Sequence, residues 1–257
     1  MDPSVTVAES ARALSAKGGI PTLVCALKIE ERVAREAGAR TALVGLGAGG
    51  SLPEGPLVSY GFAGALTDDL VPGELLSATK VVDPDGRTLW EGEPLAVAGA
   101  RAAVFCAADT VVDEASARRA LAAQSGAEAI DLESGRLAAA GRLAGVIRAV
   151  TDSPAAPVGT LARAGRPDGG TDWKVAATAF VSQPRVSIRT AANARKAMRS
   201  LARYGLDGLV AHRAPGAFPW GTLAVNLTGS LALGFLFTLL TESLEVDPWL
   251  RSTLTIG

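Results

Sequence analysis

Three short stretches put acidic side chains where a plain apolar core would not need them. Glu30 directly follows Ala26-Leu27-Lys28-Ile29, at the end of an apolar run. Asp131 and Glu133 sit two apart in AIDLES, residues 129–134. Arg148 and Asp152 flank Ala149-Val150-Thr151 in VIRAVTD, residues 146–152. Two of them have a purely structural explanation. Asp131 reads as a helix N-cap, and a helix start would favour the ionised forms of Asp131 and Glu133 and lower their pKa. Arg148 and Asp152 read as a simple ion pair. Taken together, three acidic clusters at three strand or helix ends predict one converging site, suited to proton transfer and to stabilising positive charge.

Composition narrows the chemistry further. His212 is the one histidine in 257 residues, so a Ser-His-Asp triad would have to use it, and a multi-histidine metal site is excluded. Cys25 and Cys106 lie in apolar surroundings, which implies no disulfide framework and fits a reducing compartment. A net charge of −1 and a pI near 5.9 give no electrostatic footprint for nucleic acid. The N-terminal MDPSVTVAESARALSAKGG has two acids and no apolar stretch, so no signal peptide is expected. Any catalysis must therefore rest on carboxylates, arginine and backbone groups.

The elements that must carry these groups read as follows. Residues 1–21 are a polar lead-in. TLVCALKIEERVAREAG is a strand turning into a helix near Ala26, and TALVGLGAGG and PLVSYGFAGAL are strands that end in glycine-rich turns. ELLSATKVVD is a strand, with a hairpin turn at Pro84–Gly86. AVFCAAD is a further strand, EASARRALAAQSGA a helix ended by glycine, IDLESGRLAAAGRLAG a helix, and VIRAVTD a last buried strand. A loop rich in Gly, Pro and Asp follows from Ser153 to Thr171, then amphipathic helix from Asp172 to about Tyr204, broken near Gln183-Pro184. The pattern predicts an α/β fold with one central mixed β-sheet flanked by helices. The final helical region is basic, with Arg185, Arg189, Arg195, Lys196, Arg199, Arg203 and Arg213, charges expected to face water or anionic lipid.

These motifs occur in the order found in the purine nucleoside phosphorylase and methylthioadenosine/S-adenosylhomocysteine nucleosidase superfamily. GFAGAL at Gly61–Leu66 resembles its G-(S/F)-A-G-G-L turn, AIDLES its (V/A)-(E/D)-M-E-(S/A) element, and VIRAVTD its V-R-x-(I/V)-S-D strand. Residues 167–203 resemble the C-terminal part of the hopanoid-associated nucleoside phosphorylases, and the whole resemblance runs from about Thr22 to Arg203. It implies a phosphorylase-like fold and cleavage of an N-glycosidic bond in an adenine nucleoside modified at its 5′ position, a hydrophobic hopanoid conjugate being one such substrate.

The resemblance also assigns roles. Asp152 matches the acid that protonates or hydrogen-bonds the seventh ring nitrogen of adenine, and Glu30 the glutamate that positions the attacking water. Glu133 matches the carboxylate gripping the ribose hydroxyls, and Leu132 the apolar residue against the sugar. Ala63 and Gly64 match backbone groups near the base or nucleophile, Val111 and Val112 the segment that stacks on the purine, and Arg148 the arginine beside the phosphate or water. No metal or organic cofactor is implied, and inorganic phosphate enters as co-substrate only if cleavage is phosphorolytic. The family's enzymes form dimers or larger assemblies. The sequence departs from the pattern at Phe62 (a family serine), Thr151 (serine), Asp131 (commonly glutamate) and Ala65 (glycine). The segments Glu30–Gly45 and Gly47–Gly61 are also much shorter than in the nucleosidases, by a hairpin and most of one helix.

A second region reads differently. Ala214 to Thr241 carries no charge, and GTLAVNLTGSLALGFLFTLLT has about the twenty residues that a membrane helix needs. Trp220 and Trp249 supply interfacial aromatics, Arg213 and Glu242 bracket the span, and Gly221, Gly229, Ser230 and Gly234 permit close packing. From about Leu201 to Gly257 the sequence is similar to CrcB-type fluoride channels, in which the matching Asn226 lies by the ion pathway and Arg203 ends the first helix. The similarity is partial: KAMRSLARYGLDGLV is too charged to span, and the sequence reaches LTIG before the family's Gly- and Phe-rich segment. The expected organisation is a lead-in at 1–21, a nucleoside phosphorylase-like domain at 22–203, and a partial channel-like segment at 204–257 with a membrane helix at about 219–241. It implies single-pass attachment to the cell membrane, contact with lipid, and a catalytic domain on the cytoplasmic side. The alternatives are a fluoride-channel component and an inactive fusion.

Overall fold

Leu57 to Ala65, a nine-residue run, forms the strand around which the fold is built. The computed structural model describes residues 21–202. The lead-in, Arg203, His212, Asn226 and the uncharged stretch expected to cross a membrane lie outside the described residues. In chain order the strands are β1 Thr22–Cys25, β2 Thr41–Leu43, β3 Leu57–Ala65, β4 Leu75–Val82, β5 Thr88–Glu91, β6 Ala100–Ala107, β7 Ala129–Asp131 and β8 Leu143–Asp152. The helices are α1 Lys28–Glu36, α2 Ala115–Ser125, α3 Ser134–Ala139, α4 Trp173–Ser182 and α5 Pro184–Ser200. Short 3₁₀ turns occupy Leu46–Ala48 and Gly159–Ala164.

The expected mixed sheet is present, and it closes on itself. β3 pairs in parallel with β8 along its length, in parallel with β1 at its start, and antiparallel with β7 at its end. β8 continues antiparallel to β4, β4 parallel to β6, and β6 parallel to β7. The path β3–β8–β4–β6–β7 thus returns to β3, while β2 extends the sheet beyond β1 and β5 beyond β4. Closure follows from strand length: β3 and β4 are long enough to take different neighbours at their two ends. It also removes edges that would otherwise need protection.

Alternation along the strands feeds two cores. Leu57, Ala63 and Ala65 of β3 join Val146 and Val150 of β8, Leu76, Val81 and Phe105 in one apolar cluster. Val58 and Tyr60 join Ile147, Ala149, Cys25, Ala34, Ala197 and Leu201 in another, which beds α1 and α5 against the sheet. Both cysteines are buried free thiols, and burial pushes the Cys106 thiol up to about 11.

Several local signals act as expected. Gly86 donates its N–H to Asp83 (2.9 Å) in the β4–β5 hairpin. Gly126 ends α2 in the left-handed conformation, and Gln183 interrupts the helical path between α4 and α5. One expected helix is largely replaced. Residues 130–145 were to be helical, but Ala129–Asp131 is strand, α3 has six residues, and Leu143–Gly145 already belongs to β8. The cause is long-range: Ala129 and Ile130 pair with β3 on one side and β6 on the other, a demand that local periodicity does not carry. Among residues 21–202 no helix is long and apolar enough to cross a membrane.

Candidate active site

The closed sheet collects the acidic stretches at one end. Glu30, Ala63, Gly64, Val111, Val112, Leu132, Glu133, Arg148 and Asp152 all line a single cleft of about 220 Å³. Leu27, Leu46, Phe62, Val158 and Ala162 complete its apolar walls. Of the other residues singled out from the sequence, Arg203 and Asn226 lie outside the described residues.

Glu30 sits in the first turn of α1 and bends back over its own helix start. Its Oε2 accepts the backbone N–H groups of Ala26 (3.0 Å) and Leu27 (2.8 Å), and its Oε1 accepts that of Phe62 (2.8 Å). A carboxylate offers about four acceptor positions, so one remains for a ligand or water. Burial nevertheless dominates over the nearby Arg148 charge and these hydrogen bonds, and pushes the Glu30 carboxyl up to about 7. Gly61 is required for this placement: with φ +151°, it approaches so closely that a Cβ would overlap the Glu30 carboxyl.

Arg148, from the middle of β8, is fully buried and organises the floor. Its Nη2 donates to Ser59 Oγ (2.5 Å) and Glu133 Oε2 (2.8 Å) and forms an ion pair with Asp131 Oδ2 at 2.9 Å, and its Nη1 donates to the Phe62 carbonyl (3.0 Å). Burial alone would lower its pKa, but Asp131, Glu133 and Glu30 more than offset this and hold it charged. Glu133 is fixed from the other side by the Gly47 N–H at 3.0 Å.

Two sequence expectations are corrected here. Asp131 is not an N-cap; it ends β7, fully buried, held by Arg148, Ser59 and Ser134. Glu133 precedes α3, yet its carboxylate caps nothing, and burial raises its pKa where the helix-start argument lowers it. A six-residue helix offers too small a dipole to compete with desolvation. With Glu30, Asp131 and Glu133 around one guanidinium, a fully ionised cluster would bury excess negative charge, which agrees with the upward shifts of Glu30 and Glu133.

Nor do Arg148 and Asp152 form the expected ion pair. The β3–β8 register shifts between Ala63 and Gly64, which face Val150 and Asp152, and leaves Thr151 as an extra residue. Such a bulge re-aims the next side chain. Asp152 instead pairs through Oδ2 with Arg118, while the Thr151 hydroxyl lies 2.6 Å from its Oδ1. Gly64 keeps room for this arrangement, since a Cβ would sit 3.1 Å from Asp152 Oδ2 and 3.2 Å from Arg118 Nη1.

Arg118 is the site residue that sequence reasoning missed. It is fully buried, and besides Asp152 it donates to the carbonyls of Val112 (2.7 Å) and Ala65 (3.0 Å) and lies 3.6 Å from Asp113. Asp113 in turn accepts the N–H groups of Val158 (2.9 Å) and Gly159 (3.0 Å). One guanidinium therefore ties together the end of β3, the 111–113 segment and the loop after β8. The signal was present: Arg118, Leu121, Ala122 and Ser125 share the inward stripe of α2, and an arginine on an apolar stripe needs a buried partner. Among the described residues, no group of three or more His, Cys, Asp or Glu side chains forms a metal-ligand set.

Fold and site together define an α/β protein with a self-closing mixed sheet, whose cleft has apolar walls and a buried carboxylate–arginine floor. No family model matches the chain. Among solved structures it is similar to the native futalosine hydrolase of Helicobacter pylori strain 26695, with 13% identity, coverage of 76% of this chain and 99% of that one, and a TM-score of 0.49. It is also similar to 5′-methylthioadenosine/S-adenosylhomocysteine nucleosidase from Neisseria meningitidis, with 14% identity, coverage of 74% and 97%, and a TM-score of 0.49. Among curated proteins, 61 residues are 49% identical to the fluoride-specific ion channel FluC of Nitratidesulfovibrio vulgaris, covering 24% of this chain and 49% of that protein. The FluC of Hahella chejuensis is 44% identical over 61 residues, covering 24% and 48%. The chain spans about half the length of the curated relatives it matches.

Proposed function

We propose that residues 22–203 cleave the N-glycosidic bond of an adenine nucleoside carrying a modified 5′ group. One observation carries the reading. The residues drawn from three ordered motifs, far apart in sequence, line a single cleft that also offers apolar surface for a base and a sugar. In the proposed reaction, water or inorganic phosphate attacks the sugar carbon as the carbon–nitrogen bond breaks, and the bonding pair leaves with the purine. Asp152 meets the leaving base at its seventh ring nitrogen, with a proton or a hydrogen bond. Val111 and Val112 lie on the base, Leu132 on the sugar, and Glu133 holds the ribose hydroxyls. Ala63 and Gly64 offer backbone groups near the base or nucleophile. Glu30, through its one uncommitted acceptor position, orients the nucleophile and takes its proton, while Arg148 keeps the carboxylates in place. The chemistry calls for no metal or organic cofactor.

The direct test is release of free adenine from 5′-modified adenine nucleosides, with and without phosphate. A free sugar marks hydrolysis and a sugar phosphate marks phosphorolysis; no base release under either condition refutes the reading. The pH profile tests Glu30 in particular. It must be ionised to accept a proton, and its pKa is pushed up to about 7. The rate is therefore expected to fall about tenfold per pH unit below that value. A profile flat from pH 7 to 5 would remove Glu30 from this role. The same shift has a stability consequence of defined sign. A carboxyl raised in the folded state contributes stability below its unfolded value of 4.5 that is lost as pH rises through about 7.

The reading extends to a catalytic domain held at the cytoplasmic side of the cell membrane by the span at about 219–241, assembled as a homo-oligomer, with no nucleic-acid partner. A second reading is favoured by the 49% identity over 61 residues to a fluoride channel: the chain acts as a fluoride-channel component. Fluoride efflux from liposomes containing the full chain, lost on Asn226→Ala, would establish it. Efflux no faster than from empty liposomes would sink it.

A further inference from the structure

Helices α4 and α5 present an outer face that the described residues leave uncovered. Ala176 and Ala179 point inward from α4, as do Ser187, Asn193 and Ala197 from α5. On the outside, Trp173 is 78% exposed, Val181 85%, Ile188 63% and Phe180 43%. Trp173, Ala177, Phe180 and Val181 follow the spacing of one helical stripe, so the exposure is a patch rather than scatter. The charges on the two helices themselves are all of one sign. From Trp173 to Ala202 the chain carries Lys174, Arg185, Arg189, Arg195, Lys196 and Arg199, and no Asp or Glu.

The acids facing the patch from neighbouring elements are committed elsewhere. Asp172 caps α4 through the N–H groups of Lys174 and Val175. Asp168 pairs with Lys28 and Arg166. Asp68, Asp69 and Glu74 belong to the loop that meets α5 at its opposite end, where Ser200 bonds the Gly73 carbonyl at 2.6 Å. A tryptophan-bearing apolar stripe on helices whose own charges are all cationic matches an anionic lipid surface, where indole settles at headgroup level and basic side chains reach the phosphates. A second copy of the face would bring cation against cation.

We propose that α4 and the first half of α5 form a lipid-docking face, with Trp173, Phe180, Val181 and Ile188 entering the interface and Lys174 and Arg185 on the lipid phosphates. This is separate from the span at about 219–241, which would hold the chain in any bilayer, and the test uses that difference. The full chain carries Ala177→Cys labelled with a polarity-sensitive fluorophore; Cys25 and Cys106 are buried. It is mixed with vesicles of phosphatidylcholine alone or with added phosphatidylglycerol. The expected result is a blue shift with the anionic vesicles only, reversed by molar salt. Lys174→Gln with Arg185→Gln is expected to lower the docked-to-free ratio about 25-fold, roughly fivefold for each cation lost near the surface. Equal emission in both vesicle types overturns the proposal. So does a blue shift without lipid that grows with protein concentration, which would mark self-association. Co-sedimentation with anionic but not neutral vesicles supports the docking face and removes the anchor, so the two readings fail separately.

Discussion

Asp152→Asn is expected to lower release of free adenine by about 10²–10⁴-fold, the range contributed by a positioned proton donor. Asparagine keeps the size of the side chain and cannot transfer its proton. The fold should tolerate the change, because Arg118 retains the carbonyls of Val112 and Ala65 and the nearby Asp113. A sharper readout comes from the leaving group. With a riboside whose leaving group is stable as an anion and needs no proton, the loss should shrink to less than about tenfold, since protonation no longer limits the step. An equal loss on both substrates would mean that Asp152 acts through geometry. No loss on either would remove it from the chemistry.

Arg148→Met is expected to have the largest effect on stability. The guanidinium is fully buried between Asp131 and Glu133 at 2.9 and 2.8 Å. Deleting one member of a buried ionic cluster typically costs about 3–5 kcal/mol, because the remaining charges are left without a partner. Urea unfolding measures this directly. The pH dependence has a defined sign: Glu30 and Glu133 are raised by burial and held down in part by the Arg148 charge, so without Arg148 they are raised further in the folded state. The variant should therefore regain stability as pH falls and lose it as pH rises. Asp131→Asn with Glu133→Gln in the same chain should recover part of the loss, since neutral amides need no counter-charge. A cost below about 1 kcal/mol, in the range of exposed ion pairs, would contradict the buried cluster.

The legible parts of this molecule were those that local sequence encodes. Apolar runs became strands, Gly126 and Pro184 marked helix boundaries, and the Pro84–Gly86 turn made its hairpin. Glu30, Glu133, Arg148 and Asp152 stood out because charge adjoining an apolar run is costly unless something receives it. The illegible parts depended on partners distant in sequence. Ala129–Asp131 is a strand only because β3 and β6 flank it, and the carboxylate that receives Arg118, Asp152, lies 34 residues away in sequence.

The sequence alone singled out candidate residues for chemistry at the ends of apolar elements, since residue type and periodicity are local properties. Tertiary structure decided which of them share a charge. Arg148 went to Asp131 and Glu133, and Asp152 to Arg118, because a one-residue bulge in β8 re-aims everything beyond Val150. It also decided the direction in which Glu30 and Glu133 shift. A helix start should have held Glu133 below its ordinary pKa, but closure of the sheet buried it, and desolvation by the assembled fold outweighs a dipole that the sequence could suggest.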